Sequence, residues 1–488
     1  MADPTTLTIR NLTITPLRLA LAERLNVGPD PSLNLLNGLT KLKSCLGGSR
    51  SSTEEREDPE RQDLSDVVLE SFSEIQPPIK PPRPEDRHDR LRLTFEDSST
   101  GHRYTCEIPP SSRRSIVLQP HHQDDAPKKE AKEFTAIYLP GHSYLTLFSS
   151  ANLSSWMSNL SSSLPLSALS IPGTHNSPTC HVALPSVRCQ AVPVVDQLNN
   201  GVRFLDVRVS CPPFNSSSNN NNPDILPAIN LSLVHSAFPV ALFGRKYLSS
   251  LLSTLYDFLA AHPSETILLS LKREGTGKGT DADLARFVHC HSRAAGSERW
   301  YTSPRIPTLG ECRGRIVLVR RYGLHDSSVP HDEAGIDGSA WPDNVADGMC
   351  GSGTIRIQDY YGVGNRGEIQ TKIRFAQEGL ERAAQGIHAR RAEDVPAPGP
   401  TLPLFINFLS ASNFFNASCW PDRIAVKINP SMIEYLCMHH GAPQKGPGKL
   451  DIGDSATGIV VTDWVGHRGD WDLIRCIVGW NARLQLQQ

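Results

Sequence analysis

Seven polar residues stand at the ends of short apolar runs, or just past them: His175, Arg208, His235, Lys272, Arg321, Asp359 and Asp463. One such residue is a common accident of folding. Seven in succession are hard to explain as satisfied core, because each buried charge or imidazole needs a partner. Two histidines, an arginine and an aspartate together can cleave a phosphodiester. One histidine takes a proton from the nucleophile and the other gives one to the leaving oxygen. The arginine holds the phosphoryl charge, and the aspartate orients the basic imidazole. A planar five-donor guanidinium suits that anion.

The elements that must position these residues follow from the apolar pattern. Leu169-Ser-Ile-Pro-Gly-Thr-His-Asn-Ser177 is a short apolar run stopped by a Pro-Gly turn, with His175 directly after it. In Val202-Arg-Phe-Leu-Asp-Val-Arg-Val209 the period of two puts Asp206 and Arg208 on one face and Leu205, Val207 and Val209 on the other. The charged face points inward in a barrel, and Asp206 is itself a candidate partner for Arg208. Further strands are read at 231–235, 266–272, 315–320, 353–358, 404–408 and 458–462. Helices are read over 368–384 and 470–486, and at Leu248, Leu251, Leu252, Leu255, Phe258 and Leu259, closed by Pro263. Apolar strands alternating with helices predict an α/β fold with a parallel sheet, a distorted (β/α) barrel whose chemistry gathers at the strands' carboxyl ends. Phe238, Phe243 and Tyr247 suit either an apolar rim or the core of the next helix.

Residues 1–150 read differently. Short strands at 91–95, 104–108, 115–118, 136–139 and 144–148 predict a small β-sandwich, with disordered loops at about 46–66, 76–90 and 119–133. His121, His122, Asp124 and Asp125 are read as a solvated loop rather than a metal cluster, and the Ser/Asn tract at 215–222 as an exposed insertion. The net charge is −2 with both signs mixed, which argues against nucleic acid as a partner. No apolar run reaches the ~18 residues of a membrane span, and no basic, apolar leader is seen. The eleven cysteines form no CxxC pair, as expected of free thiols. Together these features predict a cytoplasmic or peripheral membrane protein.

The chain from about 155 to 488 resembles the bacterial-type phosphatidylinositol-specific phospholipase C found in fungal X-domain proteins. The resemblance lies in Ile171-Pro-Gly-Thr-His175, Gly201-Val-Arg-Phe-Leu-Asp-Val-Arg208, Val234-His235, the 263–274 segment ending Lys272-Arg-Glu274, and the 313–322 segment containing Arg321. It continues through Trp341-Pro-Asp-Asn344, Gln358-Asp-Tyr-Tyr361 and Thr462-Asp-Trp464, in family order. It implies a distorted TIM barrel. It also implies attack of the inositol 2-hydroxyl on phosphorus, releasing diacylglycerol and a cyclic inositol phosphate at a membrane surface. By position His175 is similar to the general base, Asp463 to its orienting carboxylate, His235 to the general acid and Arg208 to the phosphate clamp. Lys272, Arg321 and Asp359 match inositol-binding positions, and Tyr361 matches the aromatic against the ring.

Two positions separate this chain from the family's branches. Calcium-dependent relatives carry a second acid where Arg208 stands. A divalent ion beside that guanidinium is repelled, so no metal or other cofactor is expected. The bacterial pattern has Asp where this chain has Asn176, which is uncharged and gives less electrostatic support to the site, and Gly where this chain has Ser236. Two other readings therefore stand beside the enzyme: a phosphoinositide-binding module with a weakened barrel site, and a calcium-dependent phosphodiesterase. Gly362-Val-Gly-Asn-Arg-Gly367 fits a dinucleotide fingerprint, but it lacks the strand-to-turn context that motif needs. His467-Arg-Gly469, the opening tripeptide of glycerophosphodiester phosphodiesterases, follows the last strand rather than the first.

Overall fold

The computed structural model describes residues 6–26, 60–110, 114–121, 132–149, 152–214, 231–386, 402–441 and 456–485. It divides into two compact units, 1–149 and 150–488. The Ser/Asn tract at 215–222 lies outside the described residues, as do His122, Asp124 and Asp125.

In the first unit two five-stranded sheets enclose one core. One runs Glu74–Ile75, Thr8–Leu12, Tyr144–Ser149, Phe134–Leu139, Ile116–Val117, and the other Glu60–Leu69, Leu17–Asn26, Asp89–Asp97, Arg103–Ile108, Gln119–Pro120. Leu17, Leu19, Leu93 and Phe95 of one sheet pack with Ile9, Ala136, Leu145 and Leu147 of the other. The expected loops need correction. Glu60–Leu69, which overlaps the 46–66 stretch, is a strand carrying inward Leu64 and Leu69 among exposed charges. Its sparse apolar residues still alternate toward the core, and polar composition masks that pattern. The 76–90 stretch is ordered by one buried carboxylate. Asp89 accepts from Arg24 Nη1 at 2.6 Å and from Arg83 Nε at 2.9 Å, and Ile79 of the same stretch is buried in the core.

In the second unit seven parallel strands carry the fold among the described residues. Their order across the sheet is Ile316–Arg321, Ile267–Arg273, Phe204–Ser210, Ile171–Thr174, Ile459–Thr462, Leu404–Phe408, Ile355–Gln358. The first and last of these seven strands in chain order thus pair, Ile171 with Ile459, and the sheet curls around them. Among the described residues it does not close by strand pairing. Ile336–Asp337 extends one edge and antiparallel Gly348–Cys350 the other, so the barrel is open where a regular one would seal. The expected parallel strand at 231–235 is instead antiparallel to Phe204–Ser210 and turns back at once through Phe238–Pro239.

The predicted apolar spacing is realised in Leu248–Ala261, where all six named residues are buried. Glu368–Ala384 also has its predicted bounds. Two helices missing from the sequence reading are Asp281–Ala295, opened by a Thr280/Asp283 capping box, and Pro421–Met438. The second hides behind Pro430, a residue that ordinarily ends a helix.

At the amino ends of the strands, Arg203 and Glu265 form a fully buried ion pair at 2.9 Å. Arg203 also donates to the carbonyls of Leu198, Val202, Leu153 and Ser154. Glu265 accepts from the backbone of Met157. This pair ties the entry segment to two strands on the face opposite the chemistry, where a barrel invests in stability.

Candidate active site

Register builds the site. Arg208 pairs with Lys272, and Lys272 with Arg321, so three cations form one row across three adjacent strands at their carboxyl ends. Such a row stands only if anions thread it. Asp206 sits two residues before Arg208 on the same face. Its Oδ2 accepts from Arg208 Nε at 3.3 Å and Nη2 at 3.2 Å, and its Oδ1 from Arg321 Nη1 at 3.2 Å. Glu274, two residues past Lys272, accepts from Arg208 Nη1 at 3.0 Å, Lys272 Nζ at 2.8 Å and the backbone N–H of Ser236 at 2.8 Å. Burial pushes both carboxyls up, but the cations prevail: Arg208 and Arg321 hold Asp206 well below the carboxylate range, and Arg208 and Lys272 bring Glu274 to about 2. Burial would lower the Arg208 guanidinium, yet Asp206 and Glu274 outweigh it and keep the group charged.

The histidines come from neighbouring turns. Gly173 is required because a Cβ there would lie 3.0 Å from Phe204 on the adjoining strand. His175 then emerges with Nδ1 3.0 Å from Asp463 Oδ1. Asn176 places its Nδ2 3.1 Å from His175 Nε2, and its backbone N–H donates to Asp206 Oδ2 at 3.2 Å. His235 lies opposite, with the two rings 5.7 Å apart and nearly perpendicular. Its Nδ1 is 2.9 Å from the Val187 carbonyl, leaving Nε2 toward the site. Burial, then Arg208 and His175, lower His235 to about 4. Burial raises Asp463 against the opposing pull of His175. The Oδ2 of Asp463 and the Oδ1 of Asn176 are buried with no partner among the described residues.

A common device sets these side chains. His175, His235 and Asp463 are each followed by a non-glycine residue of positive φ: Asn176 at 42°, Ser236 at 53° and Trp464 at 59°. The chain leaves each functional residue through a sharp left-handed turn, a conformation costing of order 1–3 kcal/mol outside glycine. Asn tolerates it through its short polar side chain. Trp464 is held by the Arg188 guanidinium 4.9 Å over its ring and by its N–H to the Cys189 carbonyl.

Lys272, Arg321 and Asp359 all belong to the cluster. Arg321 stacks 3.8 Å over the Trp341 ring and reaches Asp359 Oδ2 at 4.0 Å, and Trp341 Nε1 donates to that same oxygen at 2.9 Å. Tyr361 stands apart from this network. It is exposed, and its hydroxyl donates to Asp343 at 2.7 Å, which with burial raises it to about 12.

Sequence reading alone missed the 187–190 segment and Glu274. Gln190 Nε2 donates to the His175 carbonyl at 2.7 Å and the Thr462 carbonyl at 3.0 Å, which links the first and last strands under the imidazole. Nothing local marks that segment as functional. Glu274 carried a usable signal, the same-face spacing from Lys272.

Residues 162–322 match the family model described as phosphatidylinositol-specific phospholipase C, X domain. The chain is 29% identical over 177 residues to the 1-phosphatidylinositol phosphodiesterase of Listeria monocytogenes, covering 34% of this chain and 47% of that protein. The chain thus spans about half the length of that relative. It is 24% identical over 327 residues to the enzyme of the same name from Staphylococcus aureus, covering 64% of this chain and 88% of that one. A solved structure of a double mutant of the Staphylococcus aureus phosphatidylinositol-specific phospholipase C shares the fold, with TM-score 0.51 and 22% identity over 67% of this chain and 97% of that one. Residues 162–322 thus match the phosphatidylinositol-specific phospholipase C X domain, and the unit that carries them has the fold of an open (β/α) barrel.

Proposed function

We propose that this chain cleaves phosphatidylinositol without a metal, giving diacylglycerol and a cyclic inositol phosphate. The observation that carries the reading is the facing pair His175 and His235, 5.7 Å between rings, beside an arginine held by two carboxylates. His175 Nε2 takes the proton of the inositol 2-hydroxyl as its oxygen attacks phosphorus, while Asp463 holds Nδ1–H and stabilises the imidazolium. His235 gives a proton to the departing glycerol oxygen. Arg208 presents its remaining donors to the phosphoryl oxygens. Each proton transfer is worth ~10²–10⁴ in rate. A phosphodiester anion beside Arg208 offsets the charge that keeps His235 neutral, so substrate binding itself charges the acid. Lys272, Arg321 and Asp359 offer donors and an acceptor to the inositol hydroxyls, and Tyr361 a ring face at the rim.

The acids that a calcium ion would need, Asp206 and Glu274, are engaged by Arg208, Arg321 and Lys272, which favours the metal-free route over a calcium-dependent one. Docking falls to exposed aromatics at the strand ends. Phe238 and Phe414 stack with centroids 6.0 Å apart, and Phe243 and Phe415 project beside them in sequence. This suits peripheral attachment to a lipid surface. No helix of the described residues is long and apolar enough to cross a membrane.

One observation favours the second reading, an inositol-lipid-binding module. The Asn176 amide occupies the lone pair that His175 needs as a base. Phosphatidylinositol vesicles assayed with and without chelator separate the two. Cleavage that survives chelation supports the metal-free enzyme. Vesicle binding without turnover at any pH supports the module.

A further inference from the structure

We propose that His175, Cys189 and His235 form a binding site for a borderline-soft divalent cation, zinc above all, which blocks the catalytic pair. One donor atom from each of the three lies within 4.8 Å of the other two. Cys189 Sγ is 3.7 Å from His235 Nδ1, close to the ~3.5 Å that two ligands span around tetrahedral zinc. Asp463 already grips His175 Nδ1 at 3.0 Å, the carboxylate–histidine arrangement that orients a metal-bound imidazole and leaves its other nitrogen to the ion. Three protein ligands leave the fourth position to water or a phosphate oxygen.

Cys189 has no part in the proposed reaction, yet its thiol is buried within 4.8 Å of a nitrogen of each imidazole. It belongs to the 187–190 segment, whose Val187 carbonyl and Gln190 amide hold His235 and His175. The chemistry differs from that of a calcium site. Hard cations need several oxygens, and those near Arg208 are paired. A thiolate supplies a full negative charge and prefers zinc. The balance is simple. Zinc binds, the Cys189 thiol loses its proton to solvent, and the two neutral imidazoles donate lone pairs. His235 shifts its proton from Nδ1 to Nε2, giving up the Val187 carbonyl. Asn176 must release His175 Nε2. The bound ion then occupies the His175 lone pair that would take the proton and fixes the His235 ring away from its position in the free site.

The consequence for turnover rests on the function proposed above, but binding does not. The full chain, stripped with chelator, is titrated with Zn²⁺ by calorimetry and with Co²⁺ by absorbance, where a thiolate ligand gives a near-ultraviolet charge-transfer band. One Zn²⁺ should bind per chain with that affinity reduced at least about tenfold in both Cys189→Ser and His235→Ala. The Co²⁺ thiolate band should vanish in Cys189→Ser, which keeps the size of the buried group, while circular dichroism confirms the fold. Unchanged zinc affinity and an unchanged Co²⁺ band in Cys189→Ser overturn the site. Cys189-dependent binding by a chain that never cleaves phosphatidylinositol leaves the site standing and removes the enzyme. A chain that cleaves, with inhibition indifferent to Cys189, does the reverse.

Discussion

The side-chain amide of Asn176 lies 3.1 Å from Nε2 of His175, the nitrogen opposite the one that meets Asp463. The imidazole is thus gripped at both ends, by a carboxylate at Nδ1 and by an amide that covers the lone pair of Nε2. Replacing Asn176 with Asp puts a negative charge at that second grip and favours the protonated ring. In Asn176→Asp the limb of the pH–rate profile that reports the base should move to higher pH by about one unit. Initial rates on a water-soluble inositol phosphodiester across pH decide it, and an unmoved profile in the Asp variant breaks the link between this pair and the base.

His235 is held near 4 by burial, Arg208 and His175, against an ordinary value of 6.5. Its neutral form therefore dominates in the free protein at neutral pH. Occupying Arg208 with a phosphate anion removes one of the depressing charges, so the value should rise. Ring-proton NMR of His235, titrated with and without an inositol phosphate, should show the free value near 4 and the bound value at least one unit higher. The folded form binds the proton less well than the unfolded chain, so this group also erodes stability as pH falls from 6.5 toward 4.

Arg208→Lys keeps the charge but loses the fork that spans Asp206 and Glu274 and that, in the proposed reaction, faces the phosphoryl group. It should lower kcat by ~10²–10³ with a smaller change in KM, because the lost contact strengthens as charge develops in the transition state. Steady-state kinetics give the split. Loss confined to KM would show that Arg208 only holds the ground state.

Lys372 is fully buried on Glu368–Ala384, where its Nζ donates to Gln358 Oε1 at 3.0 Å. Burial lowers it to about 7 from 10.5, against the pull of Asp359 and Asp463. Between those two values the unfolded chain holds the extra proton, so this group makes stability rise with pH from about 7 to 10.5, by at most ~1.4 kcal/mol per unit. Lys372→Met should raise Tm at pH 7 and flatten that rise, with a smaller gain at pH 10. Melting curves across that window test it.

Glu265→Ala leaves the Arg203 guanidinium buried without its carboxylate and should cost about 3–5 kcal/mol of stability. Since the pair lies at the strands' amino ends, kcat of the folded fraction should stay near wild type. Denaturant unfolding and activity measured on the same sample distinguish this arginine from Arg208, five residues away in the same motif.

Several features are legible in the amino-acid pattern alone. The helical spacing from Leu248 to Leu259 and the bounds of Glu368–Ala384 follow from a local period that tertiary packing reinforces rather than overrides. Pro430 inside Pro421–Met438 and the charged strand Glu60–Leu69 defeat the same reasoning, because in each case packing outweighs local preference. The antiparallel turn of Ser232–His235 is also hidden, since a strand's apolar pattern does not encode its direction.

The sequence by itself determined which residue types end each strand and which face they share: His175 after Pro-Gly, Asp206 with Arg208, Lys272 with Glu274. Those relations are local, set by a two-residue period and a turn. Only the tertiary structure decided the register that lines Arg208, Lys272 and Arg321 in one row, the pairing of the parallel sheet's first and last strands that brings Asp463 to His175, and the segment that places Cys189 beside two imidazoles. Such contacts join residues from tens to nearly three hundred positions apart, and their energy comes from charges and hydrogen bonds that exist only once the sheet has curled.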